Sequence, residues 1–470
     1  MLEKVTGSFS ACMFSGSRLR TTVAVIVCSF GSRFPLIHCF IRGILSSLNM
    51  LFDETAFGPW FADPVFVEMR SLVAAVEESL LEEDILELCA VLGTGYLADC
   101  CLGKKVRLAG YYDIDVNLLP WLRKLHGDAL VGVHCGVSGD ILQIRCSRFP
   151  RATKIIVGAP CLPWSMKGSR DSWNDDRSIV FRKCLQIIVY QASKQLREFV
   201  LENVMGMVPE IDGASPLAQV IGWLIEKLGP EWTVKRFFVN SIDFCLPQNR
   251  PRVYVIGVKG GTGPLTMPSF ATRAHFGHCM DANTPSPVQS YTNGTLLQNL
   301  FDYKIWLQEA MNNKKLLGEF AVFAVDRTPS SRTGWTVSKR ISTCECLTTN
   351  GPALHILSLG EGCDVTRKSV QLTADRPASP SERGRLQGFP EWFVDINTLY
   401  EAAALVAFGN AMSVPVLASA SFAAFSRRLN LPPLRCLCKI LLQKITRFGL
   451  LQKLVVSLSA SFAIIAGSSG

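Results

Sequence analysis

No two cysteines of this chain stand as Cys-x-x-Cys, although it carries 17 of them in 470 residues. The closest sets are Cys100-Cys101, Cys344-x-Cys346 and Cys436-x-Cys438. That absence excludes a zinc ribbon or finger, and no metal is expected. No secretory signal stands out, so the thiols are expected to be reduced, the compartment intracellular, and most cysteines small buried hydrophobes. Acidic residues are missing from both ends: there is none between Lys4 and Phe52 and none after Glu401. The net charge of +9 therefore belongs to the ends, because the tail from Ala402 holds seven bases and residues 1–60 hold five bases against three acids. The middle of the chain is neutral, so charge alone does not mark it as a nucleic-acid binder. Internal repeats are absent too.

What is present describes an ordinary globular protein of two or three domains, with 48% hydrophobic and 19% charged residues. The first 60 residues are rich in serine and carry Arg18, Arg20, Arg33 and Arg42, a composition shared by transit peptides and unstructured leaders. Near the other end, Leu454 to Ala466 is apolar but shorter than the roughly 20 residues a spanning helix needs. With Lys439, Lys444, Arg447 and Lys453 before it, this tail suits a membrane surface or is aberrant sequence, and no stable membrane span is expected.

Between the ends, short apolar runs alternate with helical periodicity, as in an α/β sheet. The runs predict strands over Ile85 to Cys89, Val106 to Tyr112, Lys154 to Val157, Phe199 to Leu201, Trp232 to Val239 and Arg252 to Val258. The periodicity predicts helices over Met69 to Glu82, Ser178 to Leu196, Pro216 to Leu228 and Thr398 to Phe408. From about 260 to 370 the alternation fades into glycine, proline, serine and threonine, which predicts a second, irregular domain inserted there.

Three strand ends carry chemistry. The strand from Lys154 stops abruptly in Gly158-Ala159-Pro160-Cys161, and α/β sheets place their ligands at such ends. Pro160 and Pro163 restrict the backbone on both sides, holding the Cys161 sulfur at the mouth of a crevice where a thiolate can act as nucleophile. A lone cysteine is otherwise core filler. The strand at Phe199 ends in Glu202-Asn203-Val204, which sets a carboxylate at the equivalent edge. Gln248, Arg250 and Arg252 open the next strand, and alternation turns both arginines to one face.

Together and in this order these motifs resemble the DNA cytosine carbon-5 methyltransferase family. The likeness runs from about Asp84 to Ala420, through Pro160-Cys161, Glu202-Asn203-Val204, Gln248-x-Arg250-x-Arg252, the Arg385-Leu-Gln-Gly-Phe-Pro390 segment and Gly409-Asn410. It implies a Rossmann-like α/β sheet that binds S-adenosylmethionine, with a small irregular target-recognition domain inserted. On that reading residues 1–65 are a leader, 66–260 the first catalytic part, 261–370 the target-recognition domain, 371–426 the final catalytic part and 427–470 a basic apolar tail.

The cofactor site implied comprises Cys89, Gly93, Gly95, Asp113, Asp140, Pro160 and Asn410. Glycines let backbone approach a nucleotide closely, and an acid after the second strand can accept from ribose hydroxyls. Asp140 takes the family's place against the adenine amine, and Asp113 stands where the family usually has Glu; each aspartate equally suits a helix N-cap. The family's Phe-x-Gly-x-Gly is altered here: Cys89 takes the aromatic place and Val91-Leu92 precedes Gly93. Either two residues are inserted or the first glycine is lost.

The chemistry implied is addition of Cys161 to carbon 6 of cytosine, with Glu202 on the ring nitrogen and amino group, Arg252 on the carbonyl oxygen, and Arg250 and Gln248 ordering the pocket. The base must leave the duplex, at a cost of about a few kcal/mol. The loop from Trp164 to Asp176, with Ser165, Lys167 and Arg170, is the candidate lid over phosphates. Arg332, Arg340 and the stretch Cys346 to Thr349, Thr348 included, are the candidate target contacts. DNA is the expected partner, the enzyme is expected to act as a monomer, and the site of action would be nuclear or, with the leader taken literally, organellar. A transfer-RNA methyltransferase on the same fold is the nearest alternative, although its Cys-Phe-Thr signature is absent. An impaired nucleic-acid-binding relative is another. A dinucleotide oxidoreductase would need a tighter Gly-x-Gly-x-x-Gly and leaves the later motifs unexplained.

Overall fold

The computed structural model describes residues 57–76, 82–165, 172–211, 213–274, 279–281, 289–290, 321–326, 336–337, 343–347, 354–359, 371–395, 401–431 and 434. Its first helix, α1 (Pro64–Ala74), opens on Asp63, whose side chain accepts from Val65 N at 2.9 Å, and on a proline whose missing N–H costs nothing there. This differs from the expected Met69 to Glu82, because the acidic run after it ends in a strand that already includes Glu82. Packed structure begins at least as early as Phe57, inside the stretch read as leader: Phe57, Trp60, Phe61 and Phe66 form an aromatic cluster, and Trp60 Nε1 donates to Gly388 O at 3.1 Å.

The main sheet has seven strands: β1 (Glu82–Leu88), β2 (Lys105–Asp113), β3 (Val133–Cys135), β4 (Lys154–Val157), β5 (Glu198–Val204), β6 (Trp232–Asn240) and, after the two-residue β7 (Gln248–Asn249), β8 (Pro251–Lys259). They lie in the order β3-β2-β1-β4-β5-β8-β6, with β8 antiparallel to both its neighbours and the first five strands parallel. This is the doubly wound, Rossmann-like α/β fold. The order reverses between β1 and β4, which is where such sheets open a crevice.

Strict alternation divides each strand between two cores. Ile85, Ile156, Val200, Tyr254 and Ile256 face one, and Leu86, Ile155, Phe199, Leu201 and Val255 face the other. The first core is covered by α1, α2 (Thr94–Leu102) and α3 (Leu119–His126), the second by α4 (Ser178–Ala192) and α5 (Pro216–Leu228). Helix α5 matches its expected range because Ser215 caps it, Pro216 starts it and Gly229 stops it.

The inserted region is more regular than expected. The described strands β9 (Gln289–Ser290), β10 (Ala321–Asp326), β11 (Thr336–Val337) and β13 (Leu354–Leu359) form a five-stranded antiparallel sheet with β14 (Gln371–Pro377), which lies past the expected boundary at 370, in the order β11-β10-β13-β14-β9. A further short strand, β12 (Cys344–Glu345), leaves that sheet and pairs in parallel with β7. The chain then returns through α6 (Pro380–Leu386), α7 (Glu391–Val394) and α8 (Glu401–Asn410) to α9 (Val414–Arg428), which packs on the first core. By length and composition alone Ala402–Arg428 would cross a membrane, yet 72% of its apolar window is buried inside the protein.

Candidate active site

Backbone crowding brings the ends of β1 and β4 together. Gly158 N donates to Leu88 O at 3.1 Å, and a Cβ on Gly158 would stand 2.8 Å from Cys89 O, so no larger residue fits there. The chain leaves β4 through half-buried Pro160 and Cys161 and folds back at once, since the Cys161 carbonyl accepts from Trp164 N at 3.0 Å and Ser165 N at 2.9 Å. This turn holds the thiol at the crevice mouth. The neighbouring strand is tied to it: Asn203 Nδ2 donates to Ala159 O at 3.4 Å. A Cβ on Gly206 would stand 1.8 Å from Trp164 O, so the turn after Glu202-Asn203-Val204 also needs glycine.

Antiparallel pairing of β5 with β8 sets Glu202 opposite Tyr254 and Val204 opposite Arg252. Arg252 Nε then lies 2.9 Å from Glu202 Oε1, an ion pair between side chains only 15% and 11% exposed. Burial pushes the Cys161 thiol up, and Glu202 adds to this, while Arg252 and Arg250 pull it back. At Arg252 burial opposes the charge, but Cys346, Glu202 and Cys161 outweigh it and hold the guanidinium above its ordinary value. Cys161, Glu202, Arg250 and Arg252 thus share one electrostatic environment, brought together from separate strand ends.

Buried Arg250 works as a junction. Its Nη1 donates to Leu347 O and Gly409 O, each at 3.1 Å, and its Nη2 to Ala411 O at 2.9 Å. The inserted segment and the final motif are therefore tied to β8 by one side chain. Gln248 is fully buried, and neither polar atom of its amide has a partner among the described residues. Asn410 is exposed at the end of α8.

On the other side of the switch point, the altered turn runs from Cys89 to Gly93. Cys89 and Val91 both have positive φ, 53° and 57°, and Gly93 follows at 64°. Val91 therefore occupies a left-handed position suited to glycine. Tyr111 Oη holds the turn by donating to Val91 O at 2.7 Å. Gly95 also lacks room for a side chain, with a Cβ falling 2.6 Å from Glu87 Oε1 and from Ile156. A hydrogen bond with the Cys184 thiol, together with burial, pushes the Cys89 thiol well up.

Asp113 ends β2 and accepts from Asp115 N at 3.0 Å, and burial pushes its carboxyl up to about 6. Asp140 accepts from Leu142 N at 3.0 Å and so serves as an N-cap, one of the two roles its sequence allowed. Sequence reasoning missed fully buried Glu87 beneath the turn, where Oε1 accepts from Tyr96 N at 2.9 Å. An acid within the apolar run of β1 was the available signal. Lys167, Arg170, Arg332, Arg340 and Thr348 lie outside the described residues. Ser165 is described, at the half-buried base of the candidate lid.

Comparison with known proteins gives a family. A family model described as C-5 cytosine-specific DNA methylase matches residues 133–422. Among curated proteins, the type II methyltransferase M.NgoBI of Neisseria gonorrhoeae is 28% identical over 285 residues, 59% of this chain and 76% of its own. M.HaeII of Haemophilus aegyptius is also 28% identical, over 282 residues and 76% of its length, and M.SsoII of Shigella sonnei is 26% identical over 65% of its length. Among solved structures, S. pombe Dnmt2 methyltransferase aligns with 74% of this chain and 99% of its own at 17% identity and a TM-score of 0.49.

Proposed function

Because the chain belongs to the C-5 cytosine-specific DNA methylase family, we propose that it transfers a methyl group from S-adenosylmethionine to carbon 5 of cytosine in DNA, through a covalent adduct of Cys161 with a flipped base. The observation that carries this reading is the Arg252–Glu202 ion pair set beside the Cys161 thiol at adjoining strand ends. The curated relatives are named as type II methyltransferases, which favours DNA over RNA.

The crevice fits the cofactor. Thr94 Oγ1 is buried beside the turn without a partner among the described residues, and exposed Ile114 and Val137 offer an apolar rim. Asp113 and Asp140 would hold its polar groups, with Gly95, Cys89, Pro160 and Asn410 around them. When bound, it supplies an electrophilic methyl group on a sulfonium.

This chain's own residues prepare the base. The Cys161 thiolate forms a bond to carbon 6, the electron pair of the carbon 5–carbon 6 double bond shifts into the ring, and carbon 5 becomes nucleophilic. Glu202 places a proton at the ring nitrogen and accepts from the amino group, and Arg252 donates to the carbonyl oxygen as charge develops there. Arg250 and Gln248 order the wall behind them. After methylation, loss of the carbon-5 proton restores the double bond and expels the thiolate of Cys161.

Methyl transfer from labelled cofactor to DNA and to transfer RNA tests this. Label should enter DNA cytosine, and Cys161→Ser should reduce it to background. Label in RNA alone would reassign the substrate, and label in neither would sink the proposed activity.

A further inference from the structure

One sulfur from the inserted region reaches the catalytic arginines. Pairing of β12 with β7 sets Cys344 beside Gln248 and Glu345 beside Asn249, so the next residue, half-buried Cys346, emerges at the crevice. Its Sγ lies 3.4 Å from Arg250 Nη1 and 3.4 Å from Arg252 Nη2, and Arg252 continues through Nε to Glu202 at 2.9 Å. A sulfur bridging two guanidiniums relieves their mutual repulsion. With Arg252 Nη1 donating to Pro251 O at 2.8 Å, the sulfur on Nη2 completes the hold on the guanidinium and leaves Nε facing Glu202.

The two thiols that share Arg250 and Arg252 differ in kind. Burial dominates at Cys161 and raises it, whereas at Cys346 burial is outweighed by Arg250 and Arg252, which hold that thiol below its ordinary value. Cys346 Sγ also lies 3.4 Å from the Leu347 carbonyl, to which its S–H donates.

We propose that Cys346 is a positioning residue: its sulfur fixes Arg252, and through Arg252 the Glu202 carboxylate, so the acid is set only when the inserted region is seated on the catalytic sheet. This rests on the methyl-transfer reading. It assigns Cys346 to the base chemistry rather than to contact with the target strand.

Two measurements decide it. In steady-state methyl transfer to DNA, Cys346→Ala should lower kcat about tenfold, the scale of one hydrogen bond to a charged group, with the KM for cofactor unchanged. Cys346→Ser keeps an acceptor and should recover most of the loss, which a mere packing role would not predict. Wild-type kcat in Cys346→Ala, or a serine variant no better than alanine, would overturn the proposal. The second measurement needs no turnover: alkylation of Cys346 by iodoacetamide at neutral pH in Cys161→Ser protein, followed by peptide mass spectrometry. Adding Arg252→Gln should slow it severalfold, and an unchanged rate would refute the contact. If wild type methylates nothing while alkylation responds to Arg252, the functional reading fails and the contact stands.

Discussion

Glu87 shows how a single buried acid sets pH dependence. Burial pushes its carboxyl up to about 7 from an ordinary 4.5, and Oε2 has no partner among the described residues. The folded protein therefore holds this proton more tightly than the unfolded chain. The associated stability is complete below pH 4.5 and is lost as pH rises through 7, with Asp113, pushed up to about 6, adding the same sign. Glu87→Gln should remove most of this decline and stabilise the protein at pH 8 by up to about 3 kcal/mol. Thermal melts of both proteins from pH 5 to 8 check it, and parallel curves would rule the assignment out. The acid is visible in the sequence, but its burial depends on the helix that folds over it.

Among the elements, the turn between β1 and α2 departs furthest from local preference. A β-branched Val91 at φ 57° costs about 1–2 kcal/mol, and it persists because Tyr111 clamps its carbonyl from the next strand. Val91→Gly should remove that strain while making the unfolded chain freer, so the melting temperature should barely move. Cofactor affinity should rise, because a side chain leaves the crevice rim; calorimetric titration showing weaker binding would refute this. Other elements were legible where local signals agree. β4 matches its expected Lys154–Val157 because an apolar run is cut by Gly158 and Pro160. Helix α9 was missed because it is buried along nearly its whole length and built of small residues, so no polar face marks its period.

Across the whole molecule, six charged groups meet at the edge of the sheet opposite the crevice. Glu83 of β1, Asp99 of α2, Lys104, Lys154 of β4, Glu198 of β5 and Arg428 of α9 are three acids and three bases, and nearly all are fully buried. Lys154 Nζ lies 2.6 Å from Asp99 and 3.1 Å from Glu198, and Arg428 lies 2.7 Å from Glu83. The cluster anchors the last helix to the first strand. Lys154→Met would leave three acids with two bases and should destabilise by about 3–5 kcal/mol, measured by denaturant unfolding, with kcat per folded molecule unchanged. A loss below about 1 kcal/mol would mean the remaining bases neutralise the site unaided.

The chemical parts were determined by sequence alone, because each motif is contiguous and carries its own backbone instruction: Pro160-Cys161 at the end of an apolar strand, Glu202 at the end of the next, and two arginines in alternation. Tertiary structure decided how they connect. That Arg252 pairs with Glu202, that Cys346 bridges both arginines, that Val91 is held in a left-handed position and that six charges are buried together all involve residues brought together by strand pairing and helix docking. Local propensity cannot encode such contacts, since the energy that selects them exists only once the sheet has formed.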